Sequence, residues 1–276
     1  MKTISFINMK GGVGKTTLCI NIAYTLAKEF NKKVLIVDID PQFNATQSLY
    51  TKFKNYKDYE TIQKMGKTID YILQKSQGGV TNKPKEFSTS EVIYNMYNAS
   101  DSDGRLDLIP GDLEIVTFES SQRGSEKKLT SFLNKEVKNK LDYDYIFIDT
   151  PATYSIYSQS ALLASDCYVV PISPDAFSAL GYSLLNRVMS KDILLEEKEI
   201  FELGIIFTLF REDLVGRNDV VKSFYGSEVF DEKIYERERI RTGRMETYMS
   251  DMDITRDNIV ALTQEFIKRM EGMKNG

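Results

Sequence analysis

The amino-acid sequence predicts an α/β fold with a doubly wound, mostly parallel sheet and helices on both of its faces. Short apolar runs alternate with longer helical segments, which is the pattern of βαβ units. Acidic residues and prolines directly follow several of these runs, at the strand ends where open α/β sheets bind ligands. A chain of 276 residues is also long enough to bury the core of one large domain.

The predicted elements follow in chain order. The first strand covers Lys2–Asn8 and the first helix Thr16–Phe30. Further strands are expected at Lys33–Val37, Leu106–Ile109, Tyr145–Ile148, Cys167–Val170 and Leu203–Leu209. Between residues 53 and 104 the alternation weakens apart from one helical stretch, so we interpret this part as a variable surface excursion within a single domain covering residues 1–276. The lysine-rich stretch from 119 to 140 is expected to form a solvated helix.

Composition excludes several kinds of chemistry. The chain has no histidine, so general-base catalysis by histidine and histidine metal sites are excluded. Cys19 and Cys167 have no ligand spacing and lie in apolar runs, as expected for buried thiols in a reducing compartment. A net charge of −4 disfavours nucleic-acid binding through overall charge but allows a local basic patch.

No apolar run approaches the roughly 20 residues that span a bilayer. The first strand begins at the N-terminus, so neither a cleavable signal nor a preceding helix-turn-helix is expected.

A glycine-rich segment follows the first strand and opens the first helix. It reads Asn-Met-Lys-Gly-Gly-Val-Gly-Lys-Thr-Thr over residues 8–17. The glycines let backbone N–H groups face an anion, and the helix N-terminus adds its positive dipole. Lys15 can reach β- and γ-phosphates and the Thr16 hydroxyl can bind Mg²⁺. We therefore predict a P-loop nucleotide site formed by Lys10, Gly11, Gly12, Val13, Gly14, Lys15, Thr16 and Thr17.

Carboxylates end two other predicted strands. Asp38 and Asp40 follow the second strand, and Asp149 follows the strand at Tyr145–Ile148. Because the carboxyl ends of parallel strands share one edge of the sheet, these side chains are expected in the crevice that holds the P-loop. A carboxylate there suits in-line attack on a γ-phosphate, where catalysis depends mainly on positioning and electrostatics.

The glycine-rich segment departs from the ordinary P-loop because Met9 stands at the first glycine position and a second lysine, Lys10, follows it. This deviant Walker A pattern, K-G-G-x-G-K-[ST], resembles the ParA, Soj and MinD-like positioning ATPases. The D-x-D-P-Q segment from Asp38 is similar to the family's first switch, although Phe43 stands where the family usually has glycine. In the second switch Ala152 replaces the family's second proline. The resemblance covers almost the whole chain except residues 53–104.

The resemblance implies a short partition ATPase, without a DNA-reading helix-turn-helix, that binds ATP and Mg²⁺. Lys10, Lys15 and Asp40 would be catalytic, with Asp40 positioning the attacking water. Thr16, Asp38 and Asp149 would hold the metal or its waters. Lys10 would cross the interface of an ATP-dependent homodimer. The implied partners are non-specific DNA and a centromere-binding ParB-like protein, and the implied location is the bacterial cytoplasm on the nucleoid, without stable membrane association.

Two further sets of residues are expected from the resemblance. Thr208 and the Phe230–Ile234 turn would flank the adenine. A late basic cluster would bind DNA phosphates, and a solvated helix with internal salt bridges is the open alternative. That cluster consists of Arg211, Arg217, Lys222, Arg237, Arg239, Arg241 and Arg244.

Other functions in the same fold stay open to different degrees. A MinD-like membrane ATPase needs a C-terminal amphipathic helix, and the apolar stripe within residues 259–273 is better explained as core packing. A metabolic ligase of the dethiobiotin synthetase type would need a substrate pocket, and the D-x-D-P-Q segment disfavours it. A nitrogenase-type reductase needs cluster-ligating cysteines near the second switch, and Cys167 stands alone there.

Overall fold

The computed structural model describes residues 1–74, 88–121, 123–175, 177–211, 220–224, 226–237 and 247–273. Its strands are β1 (Lys2–Phe6), β2 (Lys33–Asp38), β3 (Tyr94–Asn98), β4 (Arg105–Ile109), β5 (Tyr145–Asp149), β6 (Cys167–Ile172) and β7 (Phe201–Phe207). They form one sheet in the order β3-β4-β2-β5-β1-β6-β7. Every neighbouring pair is parallel except β3 with β4. The predicted fold class is confirmed.

Helices connect the strands and lie on both faces of this sheet. The described helices are α1 (Lys15–Glu29), α2 (Asn44–Phe53), α3 (Tyr56–Lys64), α4 (Ile69–Gln74), α5 (Lys128–Phe132), α6 (Ile156–Ala164), α7 (Ser178–Met189), α8 (Ile193–Glu196) and α9 (Asp253–Gly272). Within the described residues, no helix combines the length and the apolar composition needed to cross a membrane.

Alternate residues of the central strands supply two separate cores. Val34 and Ile36 of β2 pack on the face covered by α1 and α9, whereas Leu35 and Val37 pack on the face covered by α4, α5 and α6. This follows from the two-residue side-chain period of a strand. Because both faces of these strands are buried, the strands appear in the sequence as uninterrupted apolar runs.

The stretch from 53 to 104 contributes more to the fold than a surface excursion would. Its described part contains α3, α4 and the antiparallel edge strand β3, and it buries Tyr59, Ile72 and Leu73. The sequence did not reveal β3 because an edge strand needs few apolar residues, and Met96 is its one buried side chain. The helix expected at Thr68–Leu73 is present as α4.

The stretch from 119 to 140 is not one solvated helix. Short 3₁₀ turns at Leu113–Ser120 and Ser125–Lys127 precede α5, and a π-helical turn at Leu133–Lys138 follows it. Leu129, Leu133 and Val137 are buried at intervals of four residues. The segment therefore packs one apolar side on the sheet while Lys127, Lys135 and Lys140 are exposed, and the prediction was wrong for that buried side.

Candidate functional site

The P-loop follows β1 in the middle of the sheet. Gly12 and Gly14 have φ of 74° and 81°, which only glycine adopts without strain. Gly14 is the N-cap of α1, and no acidic residue lies in the first turn of that helix. The unpaired N–H groups and the positive end of the helix are therefore available to an anion, as the sequence predicts.

The two lysines of this loop occupy different environments. Lys15 is 7% exposed and its Nζ donates to the carbonyl oxygen of Lys10 at 3.4 Å. Burial lowers the pKa of Lys15, and the negative charges of Asp149 and Asp40 act against this effect. The Lys10 side chain is 38% exposed, and its Nζ forms an ion pair with Asp175.

The loop after β6 holds the Asp175 carboxylate in place. Its Oδ1 accepts hydrogen bonds from the Phe177 N–H at 3.0 Å and from the Ser178 hydroxyl at 3.1 Å. Interactions with Lys10, Phe177 and Ser178 keep the pKa of Asp175 low against a desolvation effect that would raise it. Asn8 joins the P-loop to β6, since its Oδ1 accepts from the Lys10 N–H at 2.9 Å and its Nδ2 donates to the Pro171 carbonyl at 2.7 Å.

Thr16 and Asp149 form the candidate magnesium site. The Thr16 hydroxyl donates to Oδ2 of Asp149 at 2.7 Å. Asp149 is fully buried at the end of β5, and within the described part of the chain its Oδ1 has no hydrogen-bond partner. Burial raises the pKa of this carboxyl well above its usual range, and the charge of Asp38 adds to the rise. An unpartnered buried carboxylate oxygen beside a hydroxyl suits a hard divalent cation, so the residues present fit Mg²⁺.

Asp38 and Asp40, in the segment predicted to be the first switch, make different contacts. Asp38 pairs in register with Asp149, and its Oδ2 accepts from the backbone N–H and the hydroxyl of Thr46 at 2.8 and 2.7 Å. Burial raises the pKa of Asp38 to about 7. Asp40 lines the cleft beside the P-loop, and its Oδ1 accepts from the Gln42 N–H at 2.9 Å. These contacts make Asp38 a support for the switch backbone, and its predicted contact with the metal or its waters stays a prediction.

A cleft of about 1030 Å³ opens along the P-loop, and Lys15, Thr16 and Asp40 line it. Thr208 reaches it from the end of β7, and its hydroxyl donates to the Val13 carbonyl at 2.6 Å. Thr208 therefore holds the P-loop backbone through this hydrogen bond. Its predicted contact with adenine stays a prediction. Of the Phe230–Ile234 turn, Ile234 lines the cleft, whereas Phe230 is buried under the Arg269 guanidinium.

The opposite wall of the cleft was not predicted. Ser48 on α2 and Tyr248 line it, and their hydroxyls lie 3.1 Å apart. Asn21 on α1 accepts from the Met249 N–H at 2.7 Å. These residues come from three distant parts of the chain and match no local motif, so only the folded chain reveals them.

The structure describes three members of the predicted basic cluster. Arg237 is exposed and lines the cleft, Arg211 lies 4.0 Å from a carboxylate oxygen of Glu236, and Lys222 follows β7 on the surface. The remaining members, Arg217, Arg239, Arg241 and Arg244, lie outside the described residues. A common DNA surface therefore stays a prediction.

The fold and this site define a P-loop nucleotide-binding protein. A family model described as an AAA domain matches residues 1–200. The chain is 30% identical over 243 residues to the virulence plasmid ParA family protein pGP5-D of Chlamydia psittaci, covering 85% of this chain and 80% of that protein. It is 30% identical over 224 residues to the sporulation initiation inhibitor protein Soj of Bacillus subtilis, covering 75% and 72% of the two chains.

Solved structures agree with the fold. A plasmid partition protein from Borrelia burgdorferi bound to AMPPNP superposes with a TM-score of 0.77 at 24% identity, covering 97% of this chain and 98% of the other. Cobyrinic acid a,c-diamide synthase from Mycobacterium smegmatis, with an ATP analogue and magnesium, superposes with a TM-score of 0.72 at 19% identity over 98% and 96% of the chains. The chain belongs to the ParA/Soj family of partition ATPases, and the predicted resemblance is confirmed.

Proposed function

We propose that this protein is an ATP-driven partition switch in which two copies close face to face over bound Mg-ATP and separate after slow hydrolysis. The observation that carries the proposal is the unequal placement of the two P-loop lysines. Lys15 is buried in the cleft, where it serves the nucleotide of its own chain. Lys10 is partly exposed, so its ammonium is accessible to the phosphates of a nucleotide bound by a second copy. A second cation there would offset transition-state charge as an arginine finger does.

The remaining roles follow from the contacts around the cleft. Lys15 neutralises the β- and γ-phosphates, and Thr16 and Asp149 would hold Mg²⁺, which supplies further charge neutralisation when bound. Asp40 orients the attacking water, because it is the carboxylate of the first switch that lines the cleft. Its burial raises its pKa, with the charge of Lys15 acting against the rise.

DNA is the proposed surface on which the dimer acts. Between residues 236 and 244 the four arginines outnumber the two glutamates, and non-specific binding needs only such a local basic patch because it works through phosphate neutralisation. The curated relatives are named as a plasmid ParA family protein and as Soj. A centromere-binding ParB-like protein is the proposed stimulator of hydrolysis, and the bacterial nucleoid in the cytoplasm is the proposed location.

Two alternatives make different demands on the chain. A MinD-like ATPase needs an exposed apolar face on its last helix, but Ile259, Leu262 and Phe266 of α9 are buried in the core. A metabolic ligase, in the manner of the structurally similar diamide synthase, needs an acceptor substrate before it consumes ATP. Sedimentation with anionic liposomes and ATP tests the first alternative, and ATP hydrolysis in the absence of any acceptor tests the second.

The decisive experiment measures mass and DNA binding together. We expect light scattering to show a dimer, and a duplex of arbitrary sequence to be retained, with ATP but not with ADP. Lys10→Ala should lose both properties while still binding nucleotide, and Lys15→Ala should lose nucleotide binding itself, because the two ammonium groups serve different phosphates. Lys57→Ala, at an exposed position on α3, is the matched control and should behave as the wild type.

A dimer and DNA binding that ignore both the nucleotide and Lys10→Ala would contradict the proposed switch. Retention should also fall steeply as salt concentration rises, since released counterions drive binding to phosphates. Retention that is insensitive to salt would contradict a phosphate-binding surface.

A further inference from the structure

Phe43 has an unusual backbone conformation for an aromatic residue. It is the N-cap of α2, with φ 40° and ψ 40°. The left-handed region is strained for a residue with a Cβ, whereas glycine adopts it freely. Phe43 stands at the position where the family pattern has glycine, three residues after Asp40. A strained aromatic residue persists only if its surroundings hold it there.

The neighbouring loop and helix provide that support. The Phe43 ring stacks on Tyr59 of α3, with ring centroids 5.4 Å apart and an interplanar angle of 27°. Tyr59 is 1% exposed, and its hydroxyl donates to the Gly111 carbonyl at 3.0 Å. The loop after β4 also passes close to Phe43, since a Cβ on Gly111 would lie 2.7 Å from the Cβ of Phe43. Phe43 is therefore held between α3 and the loop that follows β4.

The same residue closes the turn that carries Asp40. The Phe43 N–H donates to the Asp40 carbonyl at 2.8 Å, and the Phe43 carbonyl accepts from the Gln47 N–H at 3.0 Å in the first turn of α2. The Gln42 N–H between them donates to the Asp40 carboxylate. A displacement of Phe43 would therefore shift the backbone that sets the direction of the Asp40 side chain.

We propose that Phe43 and Tyr59 form an aromatic latch that fixes the Asp40 turn before nucleotide binds, which makes Phe43 a positioning residue for hydrolysis. This inference rests on the proposed role of Asp40. The latch lies on the first switch and α3, whereas the phosphate-binding groups lie on the P-loop and α1. Loss of the latch should therefore lower kcat for ATP hydrolysis and leave KM for ATP nearly unchanged. A misplaced attacking water raises the free energy of the transition state but does not weaken the binding of ATP.

The test compares two substitutions that both remove the ring but differ in backbone strain. Phe43→Ala keeps the backbone strain and loses the stacking, so it should lower both the unfolding midpoint and kcat. Phe43→Gly loses the stacking but relieves the strain, so it should be more stable than Phe43→Ala. Both should lower kcat by about tenfold with KM changed by less than about twofold. Phe43→Tyr keeps the ring and should restore the wild-type rate.

Two further variants separate the latch from general packing. Tyr59→Leu should match Phe43→Ala in kcat, and the double variant should fall no further, because both remove one interaction. Tyr97→Leu is the control. Tyr97 is a half-buried aromatic residue of β3 that contacts Tyr24 and Phe53, and its loss should lower stability without changing kcat.

The outcomes distinguish the latch from the proposed function. If Asp40→Ala abolishes hydrolysis but Phe43→Gly hydrolyses ATP at the wild-type rate, the latch is overturned and the role of Asp40 stands. A rate that follows the unfolding midpoint across all variants also overturns the latch, since this is the result of a merely structural role. If Asp40→Ala hydrolyses ATP normally, the proposed role of Asp40 fails and the latch fails with it.

Discussion

Single side chains in this protein acquire their roles from burial and from one or two fixed partners. Asp149 and Asp40 are both carboxylates at strand ends, yet one is fully buried against a threonine hydroxyl and the other opens to the cleft. Lys10 and Lys15 differ in the same way. The ammonium groups of Lys10 and Lys15 are chemically identical, but they differ in burial and in exposure to solvent. They can therefore serve separate steps.

The ion pair between Lys10 and Asp175 leads to a prediction at this scale. In a single chain Asp175 holds the ammonium that the proposed dimer needs, so Asp175→Asn should favour assembly. A partly exposed ion pair is worth at most about 1 kcal/mol, so we expect the ATP concentration for half-maximal dimer formation to fall about twofold to fivefold. Light scattering across an ATP titration measures it.

Asp142→Asn is the control, because it removes a carboxylate that pairs with Lys33 on the exposed surface. It should leave the titration unchanged. If Asp175→Asn instead needs more ATP than the wild type, Asp175 supports the assembled state and the predicted direction is wrong.

At the scale of elements, the site depends on how closely the loop after β4 approaches the first switch. The loop after β4 passes against the first switch without a side chain, since a Cβ on Gly111 would also lie 2.9 Å from Cγ of Asp38. The Gly111 N–H donates to the Thr46 hydroxyl at 2.7 Å, and that hydroxyl donates to Asp38. The ends of β2 and β4 thus share one chain of hydrogen bonds, which ties the backbone after β4 to the segment predicted to be the first switch.

Substitution of Gly111 tests this close approach. Gly111→Ala should lower the free energy of unfolding by about 1–3 kcal/mol, because the added methyl group forces the switch and the loop apart. Urea denaturation followed by circular dichroism measures it. Gly181→Ala on α7 is a matched control, since its Cβ would meet nothing within 4 Å. It should be neutral or stabilising by up to about 1 kcal/mol, and an equal loss in both variants would contradict the crowding at Gly111.

At the scale of the whole molecule, the last helix completes a core that the first strand begins. Phe266 of α9 packs edge-on against Tyr145 and Phe147, which lie on β5 beside β1. Arg269 on the same helix donates to the carbonyl oxygens of Leu203 and Val229. Residues that are separated by most of the chain therefore pack in one hydrophobic core, and we expect the stability of the fold to depend on the packing of α9.

Truncation of Phe266 measures that dependence. Phe266→Ala should lower the free energy of unfolding by about 3–5 kcal/mol, the usual loss for a buried aromatic residue. The KM for ATP of the remaining folded protein should not change, since Phe266 does not line the cleft. Leu180→Ala is the comparison because Leu180 is 59% exposed, and a loss in Phe266→Ala no larger than in Leu180→Ala would contradict a core role for α9.

The sequence determined most of what depends on local chemistry. The glycine and lysine spacing from 10 to 17 predicted the P-loop, and the apolar run before Asp38 and Asp40 predicted a carboxylate in the cleft, where Asp40 lies. Asp38 and Asp149 are fully buried behind it, and Asp149 contacts the Thr16 hydroxyl. These positions could be predicted because a buried parallel strand is continuously apolar and because its carboxyl end lies at the ligand-binding edge of the sheet. The fold class and the family followed from the same residues.

The tertiary structure alone decided features that need two distant segments. Three features have no local sequence signature, because each brings together residues that are far apart in the chain. They are the edge strand β3, the wall formed by Ser48 and Tyr248, and the contact between Lys10 and Asp175. Phe43 illustrates the division. The sequence marked it as a departure from the family pattern, but its left-handed backbone and its stacking on Tyr59 exist only after α3 has packed against the sheet.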